Sequence, residues 1–131
     1  MLVVLLPPTG DALERLGRLR TGLSSLAARY EQARQALLGN AVVEGRLAAL
    51  GYKPRHVVME LQALPQPISI HIMPTSTWLA GTLGEVTNNI NRIVNQLGEA
   101  VKALAGLGNI DAFIAVFIDY RGGRTRLVVL P

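Results

Sequence analysis

AFIAVFIDYRGGRTRLVVLP, residues 112–131, allows two readings. Its centre, Arg121-Gly122-Gly123-Arg124, has the composition of an arginine–glycine hook for nucleic acid. Its flanks do not. Ala112–Ile118 is an unbroken apolar run, the pattern of a strand buried on both faces, and a last strand runs through Leu127–Leu130. Gly-Gly between two such runs is a favoured pair for a two-residue hairpin turn, because the turn needs positive φ. A disordered hook is repeated and poor in Val and Leu, whereas this tract occurs once. The stretch is a hairpin, and it commits the end of the chain to a sheet.

The other elements follow outward from it. MLVVLL, residues 1–6, is a second doubly apolar run, stopped by Pro7-Pro8. Thr9-Gly10-Asp11 ahead of Glu14 opens a helix in the manner of a capping box. Its seam is Leu16, Leu19, Leu23, Leu26, Tyr30, Ala33 and Leu37, a heptad pattern that Gly39-Asn40 is expected to end. A shorter helix, Ala41–Leu50, then stops at Gly51. Val57, Met59, Leu61 and Ala63 alternate with Val58, Glu60 and Gln62, and Ile68, Ile70 and Ile72 alternate with Ser69, His71 and Met73 after the turn Leu64-Pro65-Gln66-Pro67. A turn at 65/66 pairs Met59 with Ile72 and Leu61 with Ile70, which gives one uniformly apolar face. Pro74-Thr75-Ser76-Thr77 opens a second long helix with the seam Leu79, Leu83, Val86, Ile90, Ile93, Leu97, Ala100, Leu104 and Leu107, broken at Asn109. The order predicts a single α+β domain over residues 1–131. It is a ferredoxin-like (β-α-β-β-α-β) sandwich with two long heptad-patterned helices and an added C-terminal strand.

Half of the 131 residues are hydrophobic and only 17% are charged, below the quarter usual in soluble domains. So apolar a chain hides surface in partners or in lipid. The longest apolar runs fall far short of the ~20 residues of a spanning helix, so no membrane span is expected. The first residues lack a basic leader and a cleavage site, which predicts a chain not secreted by a signal peptide, located in the cytoplasm or within a virus particle. With no cysteine, disulfides, thiolate metal sites and cysteine nucleophiles are excluded together.

The net charge of +4 is carried largely by arginine, eleven against two lysines. In a ferredoxin-like sheet the tip of the last hairpin shares an end with the start of the second strand and of the second long helix. Arg121, Arg124 and Arg126 would then join Lys53, Arg55 and the backbone donors of Thr75–Thr77 in an anion site, able to hold DNA or RNA through its phosphates. The competing reading is that arginines at a hairpin tip keep an edge soluble. Catalytic signatures are missing: there is no HExxH, no phosphate loop, no calcium loop and no GxSxG elbow. The 65/66 turn also sets Glu60 opposite His71, the beginning of a general-base dyad or a plain cross-strand pair.

The outer faces of the helices carry more weight. Opposite its seam the second helix presents Gly81, Gly84, Asn88, Asn91, Asn95 and Gly98, small and amide side chains where a solvated helix is normally charged. Such a stripe permits close packing and predicts an oligomer interface. The strands at both ends of the chain are apolar on both faces, yet two long helices cover only one; either the short helix Ala41–Leu50 folds over the other or a neighbouring subunit covers it. The expected function is a non-enzymatic, self-assembling subunit of a homo-oligomer or larger particle, such as a virion or shell component, with itself as partner and no cofactor or metal. A sequence-tolerant nucleic-acid-binding protein and a small enzyme or ligand-binding regulator are the alternatives.

Overall fold

The structure, a computed structural model, describes residues 1–62, 65–108 and 110–131. The expected strand residue Ala63, the turn residue Leu64 and the helix stop at Asn109 lie outside the described residues. The chain is α+β: β1 (Leu2–Leu6), α1 (Ala12–Ala49), β2 (Val57–Leu61), β3 (Ile68–Ile72), α2 (Ser76–Leu107), β4 (Phe113–Asp119) and β5 (Arg124–Leu130). It divides into two compact units, one of Met1–Arg29 with Val86–Pro131 and one of Tyr30–Glu85.

In the first unit β1, β4 and β5 form an antiparallel sheet in the order β1-β4-β5. Leu2, Val4 and Leu6 sit opposite Ile118, Val116 and Ile114, and these rows pack on Leu16 of α1 and on Leu97, Ala100 and Leu104 of α2. Leu16, Leu97, Val116 and Ile118 are fully buried, each worth roughly 1.5–3 kcal/mol relative to exposure. The opposite sheet face is largely open among the described residues. Val3, Leu5, Phe113, Val128 and Leu130 are exposed there, while Ala115 of β4 is buried on the same face, so β1 is buried on one face only and β4 partly on both. Strands need two layers to be doubly buried, and here the two helices supply one.

The C-terminal hairpin forms, with a wider turn than the glycine pair predicts. Pairing closes at Asp119↔Arg124, which leaves Tyr120–Gly123 as the connection, and β5 begins at Arg124. Asp119 is the reason. Its Oδ1 accepts the Gly122 N–H at 3.0 Å and its carbonyl accepts the Gly123 N–H at 2.8 Å, an Asp-anchored turn that competes with the tighter one. The glycines have separate duties: a Cβ at Gly122 would collide with the Asp119 carboxylate, and Gly123 alone takes positive φ, 70°. The Gly122 and Arg121 N–H groups hold the Asp119 carboxyl below its ordinary range.

The second unit holds the end of α1, the β2–β3 hairpin and the start of α2. α1 runs unbroken through Gly39-Asn40, so no separate helix Ala41–Leu50 exists. An interior glycine costs a helix about 1 kcal/mol, and without a proline that is insufficient to end it. The end comes at Gly51, φ 93°. There the Gly51 N–H donates to Ala48 and the Tyr52 N–H to Leu47, the paired bonds of a Schellman motif. α2 is capped by Thr75, whose Oγ1 accepts the Trp78 N–H at 3.2 Å.

β2 and β3 pair with each other as a separate two-stranded sheet. The β1–β4 and β2–β3 pairings agree with the ferredoxin-like expectation. The single sheet that would unite them is absent among the described residues, and the strand order differs accordingly. Helix length gives the physical reason. At 38 residues α1 is roughly 57 Å long, and a five-residue strand spans about 17 Å. The C-terminal half of α1 and the first turns of α2 therefore belong with the hairpin and not with the three-stranded sheet.

The hairpin register also departs from a 65/66 turn. Val57↔Ile72, Met59↔Ile70 and Leu61↔Ile68 are the observed pairs on one face, with Val58↔His71 and Glu60↔Ser69 on the other. Pro67 would enter the ladder under the expected register, where it has no N–H to give; the observed ladder ends before it. The slip is two residues, so the apolar face is preserved.

Candidate functional site

The expected dyad is not formed. Glu60 faces Ser69 across the ladder. His71 instead meets His56, with His56 Nε2 2.8 Å from His71 Nδ1. Trp78 of α2 stacks on the His71 ring, with centroids 4.0 Å apart and planes at 24°, and lies 5.6 Å from His56. His56 was missed in sequence because it precedes the strand. In the observed register it lies two residues before Val58, on the face that carries His71, so the correct ladder would have revealed the pair.

The basic residues line two different hollows. Lys53 and Arg55 border a cavity of about 550 Å³ within Tyr30–Glu85, together with Glu44, Met73, Thr75 and Thr77. Met73 takes φ 50° there, a conformation uncommon outside glycine, asparagine and aspartate. Arg124 and Arg126 border a hollow of about 310 Å³ with Phe117, Asp119 and Val128. Arg121 is exposed in the turn.

The helix N-terminus that was expected to supply anion donors is occupied from within. Glu44 of α1 accepts the Ser76 N–H at 3.0 Å and the Ser76 hydroxyl at 2.7 Å, and Ser76 is buried. A carboxylate is the natural guest of a helix start. Glu44→Ala is therefore expected to destabilise the protein by about 1–2 kcal/mol in thermal unfolding. The vacated site should also respond to anions: added sulfate should raise the melting temperature of the variant more than that of the parent. Equal responses would mean that Glu44 does not occupy an anion position.

The small-residue stripe separates into two kinds of position. Gly81, Asn88, Asn91 and Asn95 are exposed. Gly84 and Gly98 are half-buried beneath arginines of α1, with Arg34 Cδ 3.5 Å and the Arg20 guanidinium 3.3 Å from where a Cβ would stand. Arg34 forks onto Glu31 at 2.7 and 2.8 Å, and this bond, with that of Gln35, draws the Glu31 carboxyl down to about 2. These two glycines make room for α1 side chains.

Chemistry is sparse elsewhere. Among the described residues no three His, Asp or Glu side chains gather as a metal site, and no helix is long and apolar enough to cross a membrane. No protein-family profile, characterised protein or solved structure matches the chain.

On one face of the β2–β3 hairpin Val57, Met59, Leu61, Ile68, Ile70 and Ile72 are each between 39% and 50% exposed. This face carries no charge. A two-stranded hairpin is at best marginal in water unless something packs on it.

Proposed function

We propose that this chain is a non-enzymatic structural subunit that assembles with copies of itself, into a homo-oligomer or a larger particle, through its two uncovered sheet faces. The observation that carries this reading is the open apolar face of the β2–β3 hairpin. Those six side chains expose roughly 500 Å² per chain, so a pair of facing hairpins would bury about 1,000 Å², the lower bound of a specific interface. A charge-free row of Val, Met, Leu and Ile is complementary to itself, which suits a second copy related by two-fold symmetry.

The open face of the three-stranded sheet, with Val3, Leu5, Phe113, Val128 and Leu130, is a second patch of similar size. Two separate apolar faces on one chain favour an assembly beyond a dimer, because each face can recruit its own neighbour. Arg124 and Arg126 border this second face and give it a basic rim.

The test is mass in solution across a concentration series, with and without nuclease treatment. Self-assembly predicts a particle of several chains whose mass is unchanged by nuclease. A chain that stays monomeric at high micromolar concentration removes the proposal. A mass that collapses on nuclease treatment replaces it with nucleic-acid-dependent assembly.

A further inference from the structure

We propose that the His56–His71 pair is a proton-operated latch on the β2–β3 hairpin, closed near neutral pH and opened by acid; this rests on the self-assembly reading and supplies its regulation. His56 stands directly before β2 and His71 within β3, so their contact ties together the two strands whose other face carries the apolar row. Trp78, in the first turn of α2, stacks on His71 and extends the link to the helix. The cluster lies wholly within Tyr30–Glu85.

The facing nitrogens are 2.8 Å apart and the ring centroids only 5.1 Å. The rings therefore meet nitrogen to nitrogen, almost along one line. That is the geometry of an N–H donor and a lone pair sharing a proton. A metal ion asks something else, two lone pairs converging on a point well off that line.

Proton count makes the contact a switch. With both imidazoles neutral, one ring donates its N–H and the other accepts. A first added proton leaves one acceptor, so the bond survives and becomes charge-assisted. A second removes the last lone pair and sets N–H against N–H between two cations. The closed pair thus binds one proton fewer than two separated imidazoles. By linkage, the ratio of open to closed hairpin rises tenfold for each pH unit below the second protonation.

The charged groups of the unit balance, four basic against four acidic, and leave this sign to the pair itself. The segment before β2 brings Lys53 and Arg55, β2 brings Glu60, and β3 and the first turn of α2 carry no charge. α1 brings Arg46, the Glu31–Arg34 pair, and Glu44, which is engaged by Ser76. Further along α2 within the unit stands Glu85. No salt bridge to either ring is formed among the described residues. Opening the latch frees a hairpin that is marginal by itself and disperses the face through which chains would meet.

The experiment follows both imidazoles by NMR from pH 8 to pH 4.5 on the full chain, with tryptophan emission and solution mass on the same samples. The chain has two histidines and one tryptophan, so the emission is that of Trp78 and the two imidazole signals are assigned by loss of one in the His56→Gln variant. The pair is expected to titrate in two coupled steps. The lower step should coincide with a change in Trp78 emission and with association weakening about tenfold per pH unit. His56→Gln, checked for folding by circular dichroism, should leave one imidazole titrating in a single step and a mass that no longer responds. Two imidazoles titrating together as independent groups would overturn the latch, and this wild-type result decides even if the variant fails to fold. A chain assembled at pH 8 that stays assembled through the lower step overturns the latch alone. A chain already monomeric at pH 8 overturns the self-assembly reading, and the regulation with it.

Discussion

Replacing Ile70 by arginine is expected to leave the chain folded and to take its assembly apart. Ile70 lies in the middle of the apolar face, paired with Met59 and flanked by the pairs Val57↔Ile72 and Leu61↔Ile68. Its side chain is already partly in solvent, 39% exposed, so an arginine there can extend into water within the chain. The cost in strand preference is within about 1 kcal/mol. Between two facing hairpins the same guanidinium is buried without a partner, at a cost of several kcal/mol. Each 1.4 kcal/mol is a factor of ten in association, so a hundredfold or greater loss is expected. The measurement is mass against concentration, with circular dichroism to confirm that secondary structure is retained. Glu60→Arg, on the other hairpin face, is the control and should assemble like the parent. An Ile70→Arg protein with parental mass would move the interface elsewhere, and Leu5→Arg on the open face of the three-stranded sheet would then be the decisive variant.

Much of the architecture was legible in the sequence because it depends on local patterns. The order of strands and helices, the Gly51 stop and the parity of the β2–β3 hairpin all follow from periodicity and turn residues. What was not legible depends on competition. Gly39-Asn40 reads as a helix end, yet nothing there removes a hydrogen bond, and α1 continues to Ala49. Gly122-Gly123 reads as a two-residue turn, yet the Asp119 side chain outbids it with a wider one. The prolines near 65–67 read as a tight turn, and the ladder instead stops short of Pro67.

The candidate site suffered most from that two-residue slip. Glu60 and His71 were expected to meet and do not, whereas His56 and His71 do. The anion site met a different difficulty. Lys53, Arg55, Thr75 and Thr77 do border one cavity, as the strand and helix starts suggested. The Ser76 donor, however, is already answered by Glu44, 32 residues earlier in the chain, and no local pattern carries that information. The open apolar surface was foreseeable from a count of layers, since two helices cannot cover every apolar strand face.

Leu97→Ala and Leu107→Ala should separate the role of the heptad seam from that of burial. The sequence places both leucines on the same seam of α2. The structure gives them opposite surroundings: Leu97 is 0% exposed in the core with Leu16, Val116 and Ile118, and Leu107 is 55% exposed at the helix end. Truncating Leu97 removes buried methyl groups and leaves a cavity that its neighbours on α1 and β4 can only partly fill, at a cost of about 2–5 kcal/mol. That is a large share of the 5–15 kcal/mol that typically holds a domain together. At roughly 4 °C per kcal/mol for a chain of this size, the melting temperature should fall by about 8–20 °C. Truncating Leu107 removes surface already in water, and alanine is the better helix former, so its effect should stay within about 0.5 kcal/mol. Thermal and urea unfolding of both variants, at a concentration where assembly is equal, gives the comparison. Similar losses at the two sites would mean that Leu107 is covered in solution, and would place a partner at the C-terminal end of α2.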